Sequence, residues 1–151
     1  MLQRKQTLFI FIAIILSVVC MCVPIGHFEP RGMGMNAILY NLWIRDVVNG
    51  VNVTSSILFI MLLHTCPFGI WAIFKYKNRI FQARLCVINI LFLATWYIAY
   101  FVYGYYWGYR DYTFKMKFAA CLPLISLILY VMARHAILAD EKLVRSADRI
   151  R

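Results

Sequence analysis

Four long stretches of the chain contain no Asp, Glu, Lys or Arg. They are residues 6–28, 47–74, 85–109 and 118–133. A helix needs about 20 apolar residues to cross a hydrocarbon core about 30 Å thick. The first three stretches reach that length, and residues 136–138 extend the shorter fourth, since Lys117 and Arg134 at its ends can reach towards water. The pattern predicts four membrane-spanning helices.

Within these stretches, apolar residues follow one another without the alternation that strands of a membrane barrel show. The segments LFIFIAIILSVV and LISLILYVMA are examples. Because a helix satisfies its own backbone hydrogen bonds in lipid, we expect an all-α fold, an integral membrane four-helix bundle. The predicted spans are residues 7–26, 53–74, 85–107 and 117–136, within a single domain of residues 1–151.

The distribution of charge indicates which end of the bundle faces the cytoplasm. With four spans, both termini and the loop between spans two and three share one side. That side has eleven cationic residues: Arg4, Lys5, Lys75, Lys77, Arg79, Arg84, Arg134, Lys142, Arg145, Arg149 and Arg151. The opposite side has five: Arg31, Arg45, Arg110, Lys115 and Lys117. Since cytoplasmic loops carry an excess of Lys and Arg, both termini are predicted to be cytoplasmic.

The segments between the spans are then an outer loop of residues 27–52, a cytoplasmic loop of residues 75–84 and a cytoplasmic tail of residues 137–151. Four apolar residues of the outer loop recur at helical spacing: Ile38, Leu39, Leu42 and Trp43. This spacing predicts a helix that lies on the membrane surface and covers the bundle. The tail has neither Gly nor Pro, so we expect the fourth helix to continue as a cytoplasmic helical extension.

The composition agrees with a membrane protein. The 151 residues are 64% hydrophobic with a mean hydropathy of +0.73, against roughly 45–50% apolar residues in soluble domains. The net charge of +10 follows mostly from the asymmetry between the two sides of the membrane. Membrane lipids are therefore expected partners, and no nucleic acid is expected.

Aromatic residues crowd the outer end of the third span. Eleven of the nineteen residues from Trp96 to Phe114 are Trp, Tyr or Phe. One interpretation is an interfacial belt, because amphipathic rings prefer the level of the lipid headgroups. The other is a platform on which a sugar or a quinone stacks.

The sequence contains no recognisable catalytic or metal-binding motif. All six carboxylates lie outside the spans or at their edges, so none is available in the membrane interior to bind a cation or to act as a general acid. The five cysteines form no C-x-x-C pair and have no histidine at the spacing of a zinc site. We therefore expect no enzymatic activity, no metal and no cofactor.

His64, in the segment MLLHTCPFG, is the most unusual polar residue of the predicted spans. At 1.5 Å per residue it lies about 15 Å from Lys75, close to the middle of the membrane. One hypothesis is a buried polar contact, in which a neutral imidazole bonds to Asn89 of a neighbouring helix. The alternative hypothesis makes His64 a ligand or a proton carrier.

Four stretches of the chain, taken together, resemble a known family. They are MLQRKQT, FKYKNRIFQARLCVINI, LPLISLIL and DEKLVRSADRIR. In this order and spacing they are similar to a family of small four-span inner-membrane proteins from the Bacteroidota, the domain-of-unknown-function family 4293. The resemblance implies a multi-pass protein of the bacterial inner (cytoplasmic) membrane and supplies no catalytic residues. The chain departs from the family at residues 136–139, AILA, where the family usually has more basic residues.

The tail DEKLVRSADRIR interleaves three acidic residues with its cations. Because anionic lipid would attract a purely basic segment better, mixed charge beside a narrow apolar stripe favours docking to a protein.

We therefore expect an accessory or scaffolding subunit that docks a protein partner, in an inner-membrane complex, through the cytoplasmic loop and tail. The alternative is a carrier or sensor of a small apolar molecule, which would use the aromatic outer mouth and His64. The candidate docking residues are Lys75, Lys77, Arg79, Arg84, Leu143, Arg145, Arg149 and Arg151.

Overall fold

The computed structural model describes residues 2–46, 50–76, 78–107 and 112–150. Its α-helices are α1 (Leu2–Cys22), α2 (Ser56–Phe74), α3 (Arg79–Val102) and α4 (Leu122–Ile150). All four are long and apolar enough to cross a membrane, which confirms the helices expected from the charge-free stretches. The third helix begins at Arg79, inside the predicted cytoplasmic loop, because the Asn78 side chain accepts a hydrogen bond from the Phe81 backbone N–H and caps it.

The four helices form a bundle in which each helix packs against its neighbours in the chain, and α1 closes the ring by packing against α4. Polar side chains join these two helices at two levels. The Ser126 hydroxyl of α4 donates to the Ala13 carbonyl oxygen at 3.1 Å. Near the other end, the Gln6 side-chain amide donates to the Ala136 carbonyl oxygen at 3.0 Å. Hydrogen bonds of this kind stabilise helix pairs in apolar surroundings.

The segments that follow α1 and precede α4 form a sheet at one end of the bundle. Its strands are β1 (Gly26–Pro30), β2 (Ala37–Leu39), β3 (Ile44–Asp46), β4 (Gly50–Asn52) and β5 (Tyr112–Met116). They lie in the order β4-β3-β2-β1-β5, and all neighbouring pairs are antiparallel. Short 3-10 helices, Val53–Ser55 and Phe118–Cys121, lead into α2 and α4, and a π-helical turn, Tyr103–Trp107, follows α3.

The sheet corrects two predictions. The fold is not all-α, and the surface helix predicted from Ile38, Leu39, Leu42 and Trp43 is wrong. Ile38 and Leu39 belong to β2, and the chain then turns back so that the Tyr40 N–H donates to the Trp43 carbonyl oxygen at 2.9 Å. The apolar residues that suggested a helix instead come from a strand and the hairpin turn that follows it.

One face of the sheet packs on the end of the bundle. Phe114 of β5 lies 5.2 Å from Phe28 of β1 and 5.5 Å from Tyr100 of α3, measured between ring centroids. A β-carbon at Gly26 or Gly104 would lie within 2.8 Å of the Phe114 ring. The two glycines therefore leave the space that this ring occupies between the sheet and α3.

Buried hydrogen bonds join the sheet to the helices at a set of residues that we call the outer junction, after the predicted outer loop that contains Asn41: Ile25, Asn41, Trp96 and Tyr100. The Asn41 amide donates to the Cys20 carbonyl oxygen at 2.7 Å, and its oxygen accepts from the Trp96 indole N–H at 3.1 Å. The Tyr100 hydroxyl donates to the Ile25 carbonyl oxygen at 2.9 Å. Asn41, Trp96 and Tyr100 are fully buried. The junction therefore satisfies backbone groups where the chain leaves α1, a point at which no helical partner is available.

The outer junction predicts a specific loss of stability. Asn41→Ala leaves the Cys20 carbonyl and the Trp96 N–H without partners, at a cost of about 1–3 kcal/mol. Unfolding of the detergent-solubilised protein by titration with dodecyl sulfate measures this cost. The matched control is Asn36→Ala, because Asn36 is exposed and belongs to the same connection between α1 and α2. Equal stability of the two variants would contradict the role assigned to Asn41.

Candidate functional site

The end of the bundle opposite the sheet gathers most of the positive charge. Gln6 and Ala136 meet there, so α1 begins beside the point where α4 leaves the bundle. The short connection between α2 and α3 lies at the same end, since Arg79 contacts Asp140 of α4. We call this region the charged end; it comprises the described residues 5–6, 75–76, 78–84 and 134–146.

Arg79 fixes the direction in which α4 extends beyond the bundle. Its Nη1 donates to the Asp140 carbonyl oxygen at 3.2 Å and lies 3.4 Å from the Asp140 carboxylate Oδ2. Asp140 Oδ2 accepts no hydrogen bond from a described residue, because the Arg79 N–H points at the Asp140 carbonyl oxygen instead. The contact between Arg79 and the Asp140 carboxylate is therefore an ion pair without a hydrogen bond. The two side chains are 21% and 13% exposed. This partial burial strengthens the attraction relative to a surface pair and makes loss of one partner costly.

The tail is a continuous helix. From Asp140, α4 runs on without a break to Ile150, as the absence of Gly and Pro predicts. Arg145 Nε donates to Glu141 Oε1 at 2.9 Å across one turn, a pair that stabilises a helix by about 0.2–0.5 kcal/mol. On the same segment Leu143 and Val144 remain 59% and 41% exposed. Two apolar side chains, about 100° apart around the helix, are therefore uncovered on this charged segment.

The structure places the predicted docking residues in different environments. Lys75, Arg84, Leu143 and Arg145 are exposed. Arg79 is engaged by α4 within the chain, so it positions the tail rather than presenting its charge to a partner. Lys77 and Arg151 lie outside the described residues, as does the side chain of Arg149.

His64 and Asn89 do not meet. His64 lies on an exposed face of α2, where its Nδ1–H donates to the Ile60 carbonyl oxygen at 2.7 Å and its ring stacks at 5.7 Å on Phe92 of α3. Asn89 is fully buried in α3, and neither its amide nitrogen nor its oxygen has a hydrogen-bond partner in the described part of the chain. The predicted hydrogen bond between the two side chains is therefore not formed.

The residues of the outer junction were not anticipated from the sequence. Trp96 and Tyr100 were grouped with the aromatic crowd, whereas the structure buries both and stacks their rings at 5.1 Å. The feature of the sequence that indicates this junction is Asn41, a single amide inside the apolar segment ILYNLW. A buried amide needs partners, but nothing in the local sequence identifies which ones.

Clustered metal ligands are not a feature of the described residues. No group of three or more His, Cys, Asp or Glu side chains among them could hold a metal ion. The cysteines are free, including the buried Cys20 and Cys86. Nothing at the charged end or in the described interior therefore assembles a metal centre.

Residues 2–150 match the model of a protein family described as a domain of unknown function (DUF4293). Because the match covers nearly the whole chain, the protein belongs to this family, which confirms the resemblance carried by the four sequence stretches. None of the curated proteins compared with the chain matches it.

The environment of Asn89 predicts an unusual response to substitution. Since its amide is buried without partners, Asn89→Leu, which removes the polar group at similar volume, is expected to leave stability unchanged or to raise it. Ser126→Ala is the control, because it removes a hydrogen bond between helices and is expected to lose about 0.6 kcal/mol. Both are measured by unfolding in detergent micelles. A loss above about 1 kcal/mol in Asn89→Leu would show that the amide has a partner.

Proposed function

We propose that this member of the DUF4293 family is a non-enzymatic accessory or scaffolding subunit of the bacterial inner membrane. In this proposal both termini are cytoplasmic, and the charged end docks a protein partner. The observation that carries the proposal is the tail of α4, a helix held at its base by Arg79 with Leu143 and Val144 exposed beyond it.

Membrane insertion is supported by the four helices and by their surfaces. Each helix is long enough to cross the hydrocarbon core. Large apolar side chains remain exposed along the helices, among them Phe11, Ile60, Leu91 and Ile128. Such a surface suits contact with lipid and would be unfavourable in water. The excess of Lys and Arg at the charged end supports a cytoplasmic orientation for that end.

The charge pattern of the tail supports a protein as the partner. Glu141 already neutralises Arg145 within the helix, at 2.9 Å, and Asp140 is paired with Arg79. Each internal pair reduces the net attraction to an anionic membrane, for which free cations contribute about 1 kcal/mol each. The exposed apolar pair of Leu143 and Val144, flanked by both signs of charge, instead fits a protein surface with its own apolar strip and mixed charges.

A carrier of a small apolar molecule has less support from the geometry. That hypothesis needs the aromatic outer mouth and His64 to contribute to one site. Trp96 and Tyr100 face the bundle interior and hold the sheet in place, whereas His64 lies on the outward face of α2. The two groups therefore belong to different surfaces.

Several polar side chains of the described residues are engaged in contacts within the chain. The paired carboxylates of the described residues are engaged with cations, Glu29 with Lys115 and His27, Asp140 with Arg79, and Glu141 with Arg145. The buried polar side chains Ser17, Thr65 and Ser126 bond to backbone carbonyls. Because these side chains are engaged in stabilising the fold, they support a binding role for the protein better than a catalytic one.

Docking is tested by a photoreactive amino acid at position 143 of the full-length protein in its native membrane. Illumination is expected to produce one adduct of definite mass, whereas the same group at position 142, on another side of the helix, is expected to give little. An adduct of twice the mass of the chain would instead indicate self-association and would contradict docking of a different protein.

Substitutions at the same position separate a docking helix from an electrostatic anchor. Leu143→Glu is expected to lose the partner while membrane insertion is retained, and Leu143→Ile, which keeps the apolar side chain, is expected to retain it. If Leu143→Glu is harmless while neutralising Arg145, Arg149 and Arg151 together displaces the protein from the membrane, the tail is only an anchor.

A further inference from the structure

Two clefts adjoin where the sheet meets the helices. The first, which we call the apolar cleft, has a volume of about 390 Å³ and is lined by Val23, Pro24, Lys117, Phe118, Ala119 and Leu122. The second, the polar cleft, has a volume of about 230 Å³ and is lined by His27, Asn36, Ile38 and Lys117. Lys117 is common to both, so a single cation lies between an apolar compartment and a polar one.

The position of Lys117 is set by the backbone. It follows β5 directly, and its N–H donates to the Ile25 carbonyl oxygen at 3.0 Å. Because side chains alternate along a strand, Lys115 and Lys117 point to the same face of the sheet. His27 lies opposite Lys115 in the β1–β5 pair and opposite Ile38 in the β1–β2 pair, so these side chains share that face.

The two lysines differ in how their charges are compensated. Lys115 Nζ lies 2.6 Å from Glu29 Oε2, and Glu29 Oε1 also accepts from His27 Nε2 at 3.1 Å. Lys117 forms no ion pair with any carboxylate whose side chain the structure describes. Its charge therefore remains available to an anion that enters between the two clefts.

The polar cleft offers further groups beside that charge. His27 Nε2 donates to Glu29, and the other ring nitrogen, Nδ1, is buried without a hydrogen-bond partner among the described residues. The Asn36 side chain is exposed at the same cleft and can both donate and accept. These groups suit the hydroxyls of a polar headgroup.

We propose that the two clefts together bind one anionic glycerophospholipid from the leaflet at the sheet end of the protein. An acyl chain lies in the apolar cleft, the phosphate contacts Lys117, and headgroup hydroxyls bond to His27 and Asn36. The proposal rests on the membrane insertion given under the proposed function and is independent of docking at the tail.

The shape and lining of the site favour a lipid over a water-soluble anion. The larger cleft is within the range of about 300–1,000 Å³ that small-molecule sites occupy, and its lining is apolar except for Lys117. Phe118, at its edge, is 81% exposed, as a side chain that faces lipid at the headgroup level can be. A soluble phosphate would leave this apolar compartment unused.

The experiment compares lipid retention by the full-length protein purified from nanodiscs with equal amounts of phosphatidylglycerol and phosphatidylethanolamine. Native mass spectrometry counts the lipids that remain bound. The wild-type protein is expected to retain one phosphatidylglycerol, and Lys117→Gln is expected to reduce this retention about fivefold. Lys115→Gln removes the same charge two residues away and is expected to have little effect, because Lys115 is already paired with Glu29.

A second pair of variants tests the acyl chain. Val23→Trp fills the apolar cleft and is expected to reduce retention, whereas Val18→Trp, at a comparably exposed position outside both clefts, is expected to leave it unchanged. Circular dichroism confirms that both variants remain helical before they are compared. Equal retention in Val23→Trp and Val18→Trp would overturn the proposal.

Two other outcomes would also overturn it. Equal losses in Lys117→Gln and Lys115→Gln would indicate general attraction to a cationic surface, and displacement of the lipid by inorganic phosphate alone would indicate a site for soluble anions. Leu143→Glu, included in the same series, is expected to retain the lipid. This variant separates failure of lipid binding from failure of docking, since it removes only the tail contact.

Discussion

The side chain of Asn41 joins the sheet of this protein to its helices through two buried hydrogen bonds. A backbone that leaves a helix in apolar surroundings exposes carbonyl groups that must find partners. Asn41 satisfies the carbonyl of Cys20 and is itself held by the indole of Trp96. The same amide thereby ties the end of α1 to α3 and to the hairpin of β2 and β3. The outer junction therefore holds the sheet against the end of the bundle.

Different interactions stabilise the two ends of the bundle. At the sheet end, buried hydrogen bonds and packed aromatic rings join Ile25, Asn41 and Phe114 to α3. At the charged end, the ion pair of Arg79 with Asp140 fixes the tail at its base. Leu143 and Val144 extend beyond that point uncovered. The proposed docking surface therefore lies at the charged end, and the proposed lipid site lies at the sheet end.

The helices could be predicted from the sequence because their signal is local. Charge-free stretches of adequate length determine where a helix can cross a membrane, and the absence of Gly and Pro after Ala136 predicted the tail. The sheet could not be predicted in this way. Strands β2, β3 and β4 have three residues each, too few for alternation to be distinguished from helical spacing. Strand β1 pairs with β5, which lies 82 to 90 residues later in the chain. Asn41 stands out as a single amide in an apolar segment, but its hydrogen-bond partners are distant in sequence and cannot be identified from it.

In the proposed arrangement, the sheet end and the charged end lie on opposite sides of one membrane. Cysteines introduced at Asn36 and at Ser146, which are both exposed, test it with a membrane-impermeant maleimide and peptide mass spectrometry. In intact cells with a permeabilised outer membrane, we expect label at position 36 and none at position 146, with label at both positions after the inner membrane is disrupted. Label at position 146 in intact cells, or equal labelling of the two positions before disruption, would contradict the placement of the two ends on opposite sides of the membrane.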